Sequence, residues 1–140
     1  MLEGGCFCRA IRYRITQPIA QAAACHCRKC QYGSGGGPNY SALAPRDAVE
    51  ITAGSPALHV SVADSGGEVV RLFCGACGTP IYSEGANLPW RAVRVGSLDD
   101  PSAMRPALHI WSEAAQPWHH FEAGARVFPQ GPNATVGSPP

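Results

Sequence analysis

The seven cysteines of this 140-residue chain fall in three tight groups: Cys6-x-Cys8, Cys25-x-Cys27-x-x-Cys30 and Cys74-x-x-Cys77. An odd number disfavours a pure disulfide framework. In an extended strand, residues i and i+2 point to one face, so Cys6/Cys8 and Cys25/Cys27 can each aim two sulfurs at one point. A Cys-x-x-Cys in a tight turn does the same. In Phe73-Cys74-Gly75-Ala76-Cys77-Gly78-Thr79 a glycine follows each cysteine. Glycine frees the backbone so that amides can approach the sulfurs, as in a zinc knuckle. The groups read as metal ligands, with a redox Cys-x-x-Cys or inert buried thiols as the competing readings.

Zinc is the default metal for all-thiolate sites and iron the alternative. A closed structural site takes four ligands, whereas a catalytic site takes three and keeps an open position. Cys27/Cys30 with Cys74/Cys77 would make an ordinary zinc ribbon. Cys6/Cys8 with Cys74/Cys77 would instead leave Cys25, Cys27 and Cys30 as an open three-ligand site. Both divisions fit the spacing. The second uses every thiol and is preferred.

The rest of the composition explains why such a chain needs staples. Gly and Pro together contribute 16 and 13 residues, and 21 of the hydrophobic residues are Ala. Large apolar side chains are therefore scarce, long helices are unexpected, and a turn-rich β structure is favoured. Lys plus Arg number 11 against 10 acids, a net charge of +1. With no basic block, nucleic acid is not an expected partner. The most apolar uncharged run, Ile15 to Cys27, carries Gln17, Pro18 and Gln21 and is not a membrane span. The first residues show no basic region followed by an apolar signal core. The expectation is a soluble, cytoplasmic protein, in which clustered thiols stay reduced. Oligomeric state is not readable.

Alternating residues predict short strands over 10–15, 19–27, 39–43, 49–52, 58–63, 68–73, 80–83, 91–95 and 108–111. One helical turn is predicted over 28–32 and a loop over 33–38. Asp64-Ser65-Gly66-Gly67 reads as a hairpin turn. The chain thus reads as one mainly β domain over 1–128, with a disordered tail over 129–140 that is rich in Pro and Gly.

The motifs, taken together, resemble those of a known family. Gly4-Gly5-Cys6-Phe7-Cys8 with Ile11-Arg12-Tyr13 is similar to the opening of the glutathione-dependent formaldehyde-activating enzyme family. Cys25-His26-Cys27-Arg28-Lys29-Cys30-Gln31 and Ser34-Gly35-Gly36 resemble its second motif. Phe73-Cys74-Gly75-Ala76-Cys77-Gly78-Thr79-Pro80 resembles its third. Val95-Gly96-Ser97-Leu98-Asp99-Asp100-Pro101 and His109-Ile110-Trp111 resemble later signatures. Arg9 stands after Cys8 where that family usually has Gly, and the run from Gly33 to Gly37 is unusually rich in glycine. The resemblance implies a single-domain, mostly antiparallel β-tent fold stapled by zinc. It implies a structural zinc on Cys6, Cys8, Cys74 and Cys77, and a catalytic zinc on Cys25, Cys27 and Cys30. It also implies carbon–sulfur lyase chemistry on a thiol adduct, the type reaction forming S-(hydroxymethyl)glutathione from glutathione and formaldehyde.

Charge counting agrees with that chemistry. Zinc with three thiolates carries a formal −1, so it acidifies a bound water less than a site of neutral imidazoles would. It can still bind and deprotonate an incoming thiol, which suits addition of that thiol to an aldehyde. Beside this centre, Ser34 and Gly35 are candidate substrate contacts, because the glycine loop follows Cys30. His109 and Trp111 are further candidates, since strand alternation puts them on one face. His26, between two ligands, is expected to point away from them, and His119-His120 to be structural or exposed. The competing functions are a zinc-stapled binding module without catalysis, which needs only one closed site, and a thiol oxidoreductase.

Overall fold

The computed structural model describes residues 1–63 and 66–131. The chain forms two compact units, one from Met1–Gln21 and Ala42–Met104, the other from Ala22–Ser41 and the chain from Arg105 onward. Among the described residues no helix is long and apolar enough to cross a membrane.

The first unit holds a three-stranded antiparallel sheet of β1 (Leu2–Gly5), β2 (Arg12–Ile15) and β5 (Val49–Ala53), in the order β1-β2-β5. The alternation read from the sequence sets its faces. Tyr13 and Ile15 are buried, and Arg12 and Arg14 turn outward. Arg14 lies opposite Glu50 on β5 and pairs with it at 3.8 Å. Arg12 forms a two-pronged pair with Asp99, one prong measuring 2.9 Å. That geometry suits a guanidinium against a carboxylate.

The same unit contains an antiparallel meander of β6 (Ala57–Val62), β7 (Glu68–Phe73), β8 (Pro80–Gly85) and β9 (Trp90–Arg94). The hairpin expected between β6 and β7 is present, though Asp64 and Ser65 of its turn lie outside the described residues. Its core gathers Ile11, Tyr13, Ile15, Val49, Ile81, Tyr82, Val93, Val95 and Leu98 around Cys6 and Cys74. Two cysteines thus belong to a small core of few large side chains.

β1 was not anticipated, because Gly4 and Gly5 weaken its strand signal. The structure shows why Gly4 is there. A Cβ at Gly4 would stand 2.4 Å from both the Tyr13 hydroxyl oxygen and the Ser97 carbonyl. The Tyr13 hydroxyl in turn meets Ser97 Oγ at 2.8 Å.

In the second unit, β3 (Gln21–Cys25), β10 (Leu108–Ile110) and β11 (Arg126–Val127) lie side by side in the order β3-β10-β11, and all run parallel. These parallel pairings stand beside the antiparallel ones of the first unit, in a structure expected to be mostly antiparallel. Hairpin signals are local, whereas β3 and β10 are joined through most of the chain and could be paired in either direction. The strand expected over 19–27 stops at Cys25, because Cys27 instead caps the helix α1 (Arg28–Ser34). That helix is longer than the single turn expected and takes two residues of the presumed loop. It ends on Gly35, whose φ of 80° is the left-handed conformation that glycine adopts without penalty. β4 (Asn39–Pro45) follows and carries the chain from the second unit into the first.

The strand expected over 108–111 ends one residue early. Trp111 sits at φ 54° and opens a single helical turn over Ser112–Ala114. Strand alternation therefore does not extend from His109 to Trp111. Trp111, Ser112 and Glu113 donate backbone hydrogen bonds to the carbonyls of Gln130, Phe128 and Pro129. From residue 132 onward the expected tail lies outside the described residues.

Candidate metal centres

The structure decides between the two ways of dividing the thiols. The sulfurs of Cys6, Cys8, Cys74 and Cys77 lie within 4.8 Å of one another, and those of Cys25, Cys27 and Cys30 form a separate set at the same closeness. The ribbon pairing of Cys27/Cys30 with Cys74/Cys77 is not formed.

In the four-sulfur set, Cys6 and Cys8 are 3.5 Å apart and Cys8 and Cys74 3.7 Å. These are not disulfide distances, which would be about 2.05 Å. They match a tetrahedral zinc site, where zinc–sulfur bonds of about 2.3 Å put the sulfurs about 3.8 Å apart. Backbone and hydroxyl donors face the sulfurs. The Ile11 amide donates to Cys6 Sγ at 3.2 Å, and Thr79 Oγ1 meets Cys77 Sγ at 3.1 Å. The Thr79 hydroxyl and nearby amides lower the Cys77 thiol to about 5. Thr79 Oγ1 also accepts from the Phe7 amide at 3.1 Å, linking the β1–β2 turn to the knuckle. The knuckle is closed by Gly78 N to Cys74 O at 2.8 Å and Cys74 N to Thr79 O at 2.9 Å.

The three-sulfur set is built from one strand end and one helix start. Cys25 is the last residue of β3, Cys27 the N-cap of α1, and Cys30 lies in its first turn. Cys27 has extended backbone (φ −60°, ψ 151°), and its sulfur accepts from the Cys30 amide at 3.3 Å, the place of an N-cap oxygen. The neighbouring thiols Cys25 and Cys30 and that amide hold Cys27 well below the ordinary thiol range, whereas Cys27, Cys30 and burial push Cys25 up. Three sulfurs this close cannot all shed their protons without a cation among them. The donor set of each cluster therefore fits a bound zinc ion. Asn39 Nδ2 approaches Cys30 Sγ at 3.9 Å.

A residue that sequence reasoning passed over holds this loop. Gln31 is buried and uses all of its amide: Nε2 donates to His26 O at 2.6 Å and Ala114 O at 2.8 Å, while Oε1 accepts from Arg28 Nη1 and Gln116 Nε2. It thereby fixes the carbonyl of the residue between Cys25 and Cys27. Its partner Ala114 is 83 residues away, so no local signal could have found it.

The candidate substrate contacts sit as follows. Ser34 Oγ lies 2.9 Å from Cys30 O and 2.6 Å from Gly37 O, bracing the glycine loop. Gly35 is the helix cap, and its neighbour Gly36 has Trp118 beside it. His109 is buried, with ring nitrogens against His26 and Glu122. The Trp111 indole packs beside Gly131.

Fold and sites together define a small, mainly β protein with two thiol clusters that can each hold a metal ion. The family model described as glutathione-dependent formaldehyde-activating enzyme matches residues 1–114, and the chain belongs to that family. A Penicillium rubens protein provisionally named a glutathione-dependent formaldehyde-activating enzyme is 34% identical over 79 residues, 55% of this chain. The match spans 40% of that relative's length. In fold, the chain is similar to a crystal structure of a Rhodobacter sphaeroides protein, with a TM-score of 0.56 at 20% identity, covering 72% of this chain and 93% of that one.

Proposed function

We propose that the chain is a zinc-dependent carbon–sulfur lyase with two zinc ions, a structural one on Cys6, Cys8, Cys74 and Cys77 and a catalytic one on Cys25, Cys27 and Cys30. The type reaction is addition of glutathione to formaldehyde. The observation that carries this reading is the three-sulfur set, one ligand short of a closed site. Family membership supports the substrates. A zinc ion held there supplies a site that binds an incoming thiol and keeps it as the nucleophilic thiolate.

The balance is simple. A carbon–sulfur bond forms, the carbonyl π bond breaks, and the proton lost from sulfur ends on the aldehyde oxygen. Reversal cleaves the same bond. The chain's own residues prepare the place for this. Cys27 holds the helix start through the Cys30 amide, Gln31 pins the carbonyl of His26, and Asn39 approaches the Cys30 sulfur. Ser34, Gly35 and Trp111 are the candidate substrate contacts in this reading, while His109 has both ring nitrogens engaged by His26 and Glu122. The protein acts in the cytoplasm on small molecules.

The test is exchange spectroscopy on glutathione and formaldehyde with and without the protein. Saturable acceleration above the spontaneous rate, abolished in Cys27→Ser and Cys30→Ser proteins that keep native circular dichroism, is expected. A rate equal to the spontaneous one overturns the type reaction. Should the zinc content also fall to one thiolate-held ion, the non-catalytic binding module takes its place.

A further inference from the structure

The second unit holds a third group of potential ligands that contains no cysteine. We propose that His26, His109 and His119 form an additional, all-imidazole site for a divalent transition-metal ion such as zinc, cobalt or nickel. One ligand nitrogen from each of the three lies within 4.8 Å of the others. His26 Nε2 and His109 Nδ1 are 2.8 Å apart. His26 and His109 are both 1% exposed.

Three features separate this group from ordinary packed histidines. The first is the orientation of His109. Its Nε2 lies 2.9 and 3.0 Å from the two carboxylate oxygens of Glu122. A ring nitrogen donating to a carboxylate fixes the tautomer and leaves Nδ1 with its lone pair toward the other two rings. This carboxylate–histidine pairing is the usual support behind a metal-bound histidine. The second is His119, whose Nε2 is buried and has no hydrogen-bond partner among the described residues. A direct hydrogen bond between His26 and His109 would satisfy those two rings, but it leaves the His119 nitrogen unexplained. A shared cation accounts for all three. The third is the enclosure. Phe121 packs its ring against His26, His109 and His119 at centroid distances of 5.1, 5.0 and 4.7 Å, walling one side with apolar surface.

The chemistry of the site follows from its donors. Neutral imidazoles suit zinc, copper and nickel, and they leave the ion its full positive charge. Three protein ligands leave a position for water or a small anion. Zinc–nitrogen bonds of about 2.0–2.1 Å would set the nitrogens about 3.3 Å apart, so the His26–His109 pair opens slightly on loading. This site shares no ligand with the thiolate centres, although His26 stands between Cys25 and Cys27 in the chain.

The experiment dialyses the purified protein against cobalt and counts total zinc plus cobalt per chain. Optical spectra separate the two kinds of site, because only thiolate ligation gives strong near-ultraviolet charge transfer. The wild type is expected to hold one more metal per chain than His119→Ala, and the extra equivalent adds no charge-transfer band. Glu122→Gln is expected to weaken that equivalent about 10- to 100-fold. Circular dichroism checks that both variants fold. Equal metal content in wild type and His119→Ala overturns the site. So does an extra equivalent that carries thiolate charge transfer. Neither result touches the lyase proposal, which stands or falls on the thiolate bands and the exchange rate.

Discussion

Replacing Gln31 by Leu tests the support beneath the three-sulfur centre. The side chain is 2% exposed, so water does not easily replace what it loses. Leu has nearly the same bulk but offers no donor to His26 O at 2.6 Å or to Ala114 O at 2.8 Å. A buried acceptor left without a partner costs about 1–3 kcal/mol, so two cost about 2–6 kcal/mol. Arg28 and Gln116, which lose only an acceptor, can turn toward water. A central value of about 4 kcal/mol is a large part of a domain's stability of about 5–15 kcal/mol. For a chain of this size it lowers Tm by about 12–20 °C. Gln31→Glu sharpens the test. It keeps the shape but sets a carboxylate oxygen against two carbonyls, so its defect should shrink as the carboxylate protonates at acid pH. The assay is thermal unfolding of the metal-loaded protein by circular dichroism. Metal affinity at the Cys25–Cys27–Cys30 set should fall and that at the other set should not. A Gln31→Leu Tm within about 2 °C of wild type would refute the reasoning.

Three further outcomes follow from the geometry. Arg9 has φ 67°, a left-handed conformation that costs an ordinary residue about 1 kcal/mol, so Arg9→Gly should raise Tm by a few degrees; a lower Tm would show that its side chain matters more. Burial pushes the Tyr13 phenol up to about 12. The folded state thus favours the protonated phenol, and the stability it gives is complete below about pH 10 and is lost at about 1.4 kcal/mol per unit as pH rises toward 12. Phenolate absorbance should show a late-ionising tyrosine that is missing in Tyr13→Phe. Cys74→Ser should give unfolded or insoluble protein, since structural zinc binding is folding free energy, whereas Cys30→Ser should keep native circular dichroism. Equal damage from the two substitutions would argue against the division of roles.

What the sequence revealed depended on distance along the chain. Cys6/Cys8 and Cys74/Cys77 are local pairs whose spacing fixes where their sulfurs point, and the β6–β7 hairpin is announced by its own turn residues. The alternation of Tyr13 and Ile15 against Arg12 and Arg14 fixed the faces of β2. The misses were long-range or conformational. The parallel pairing of β3 with β10 joins Cys25 to Ile110. Trp111 breaks its strand by a positive φ, a choice that alternation cannot reveal. His26 meets His109, 83 residues away, and His119, and the two that looked merely adjacent, His119 and His120, part company: only His119 joins the cluster. Gln31 looked like one more polar helix residue until its four partners were seen.

The central claim is that Cys25, Cys27 and Cys30 form a metal site open to a substrate thiol while the other four cysteines are closed. It is tested most directly in cobalt-substituted His119→Ala protein, which keeps all seven cysteines. Glutathione is added and the near-ultraviolet thiolate-to-cobalt absorption is followed. An open three-thiolate site gains one ligand, so the band should rise by about one seventh, saturably, as seven thiolate bonds become eight. A band that does not change as glutathione is raised would contradict the account.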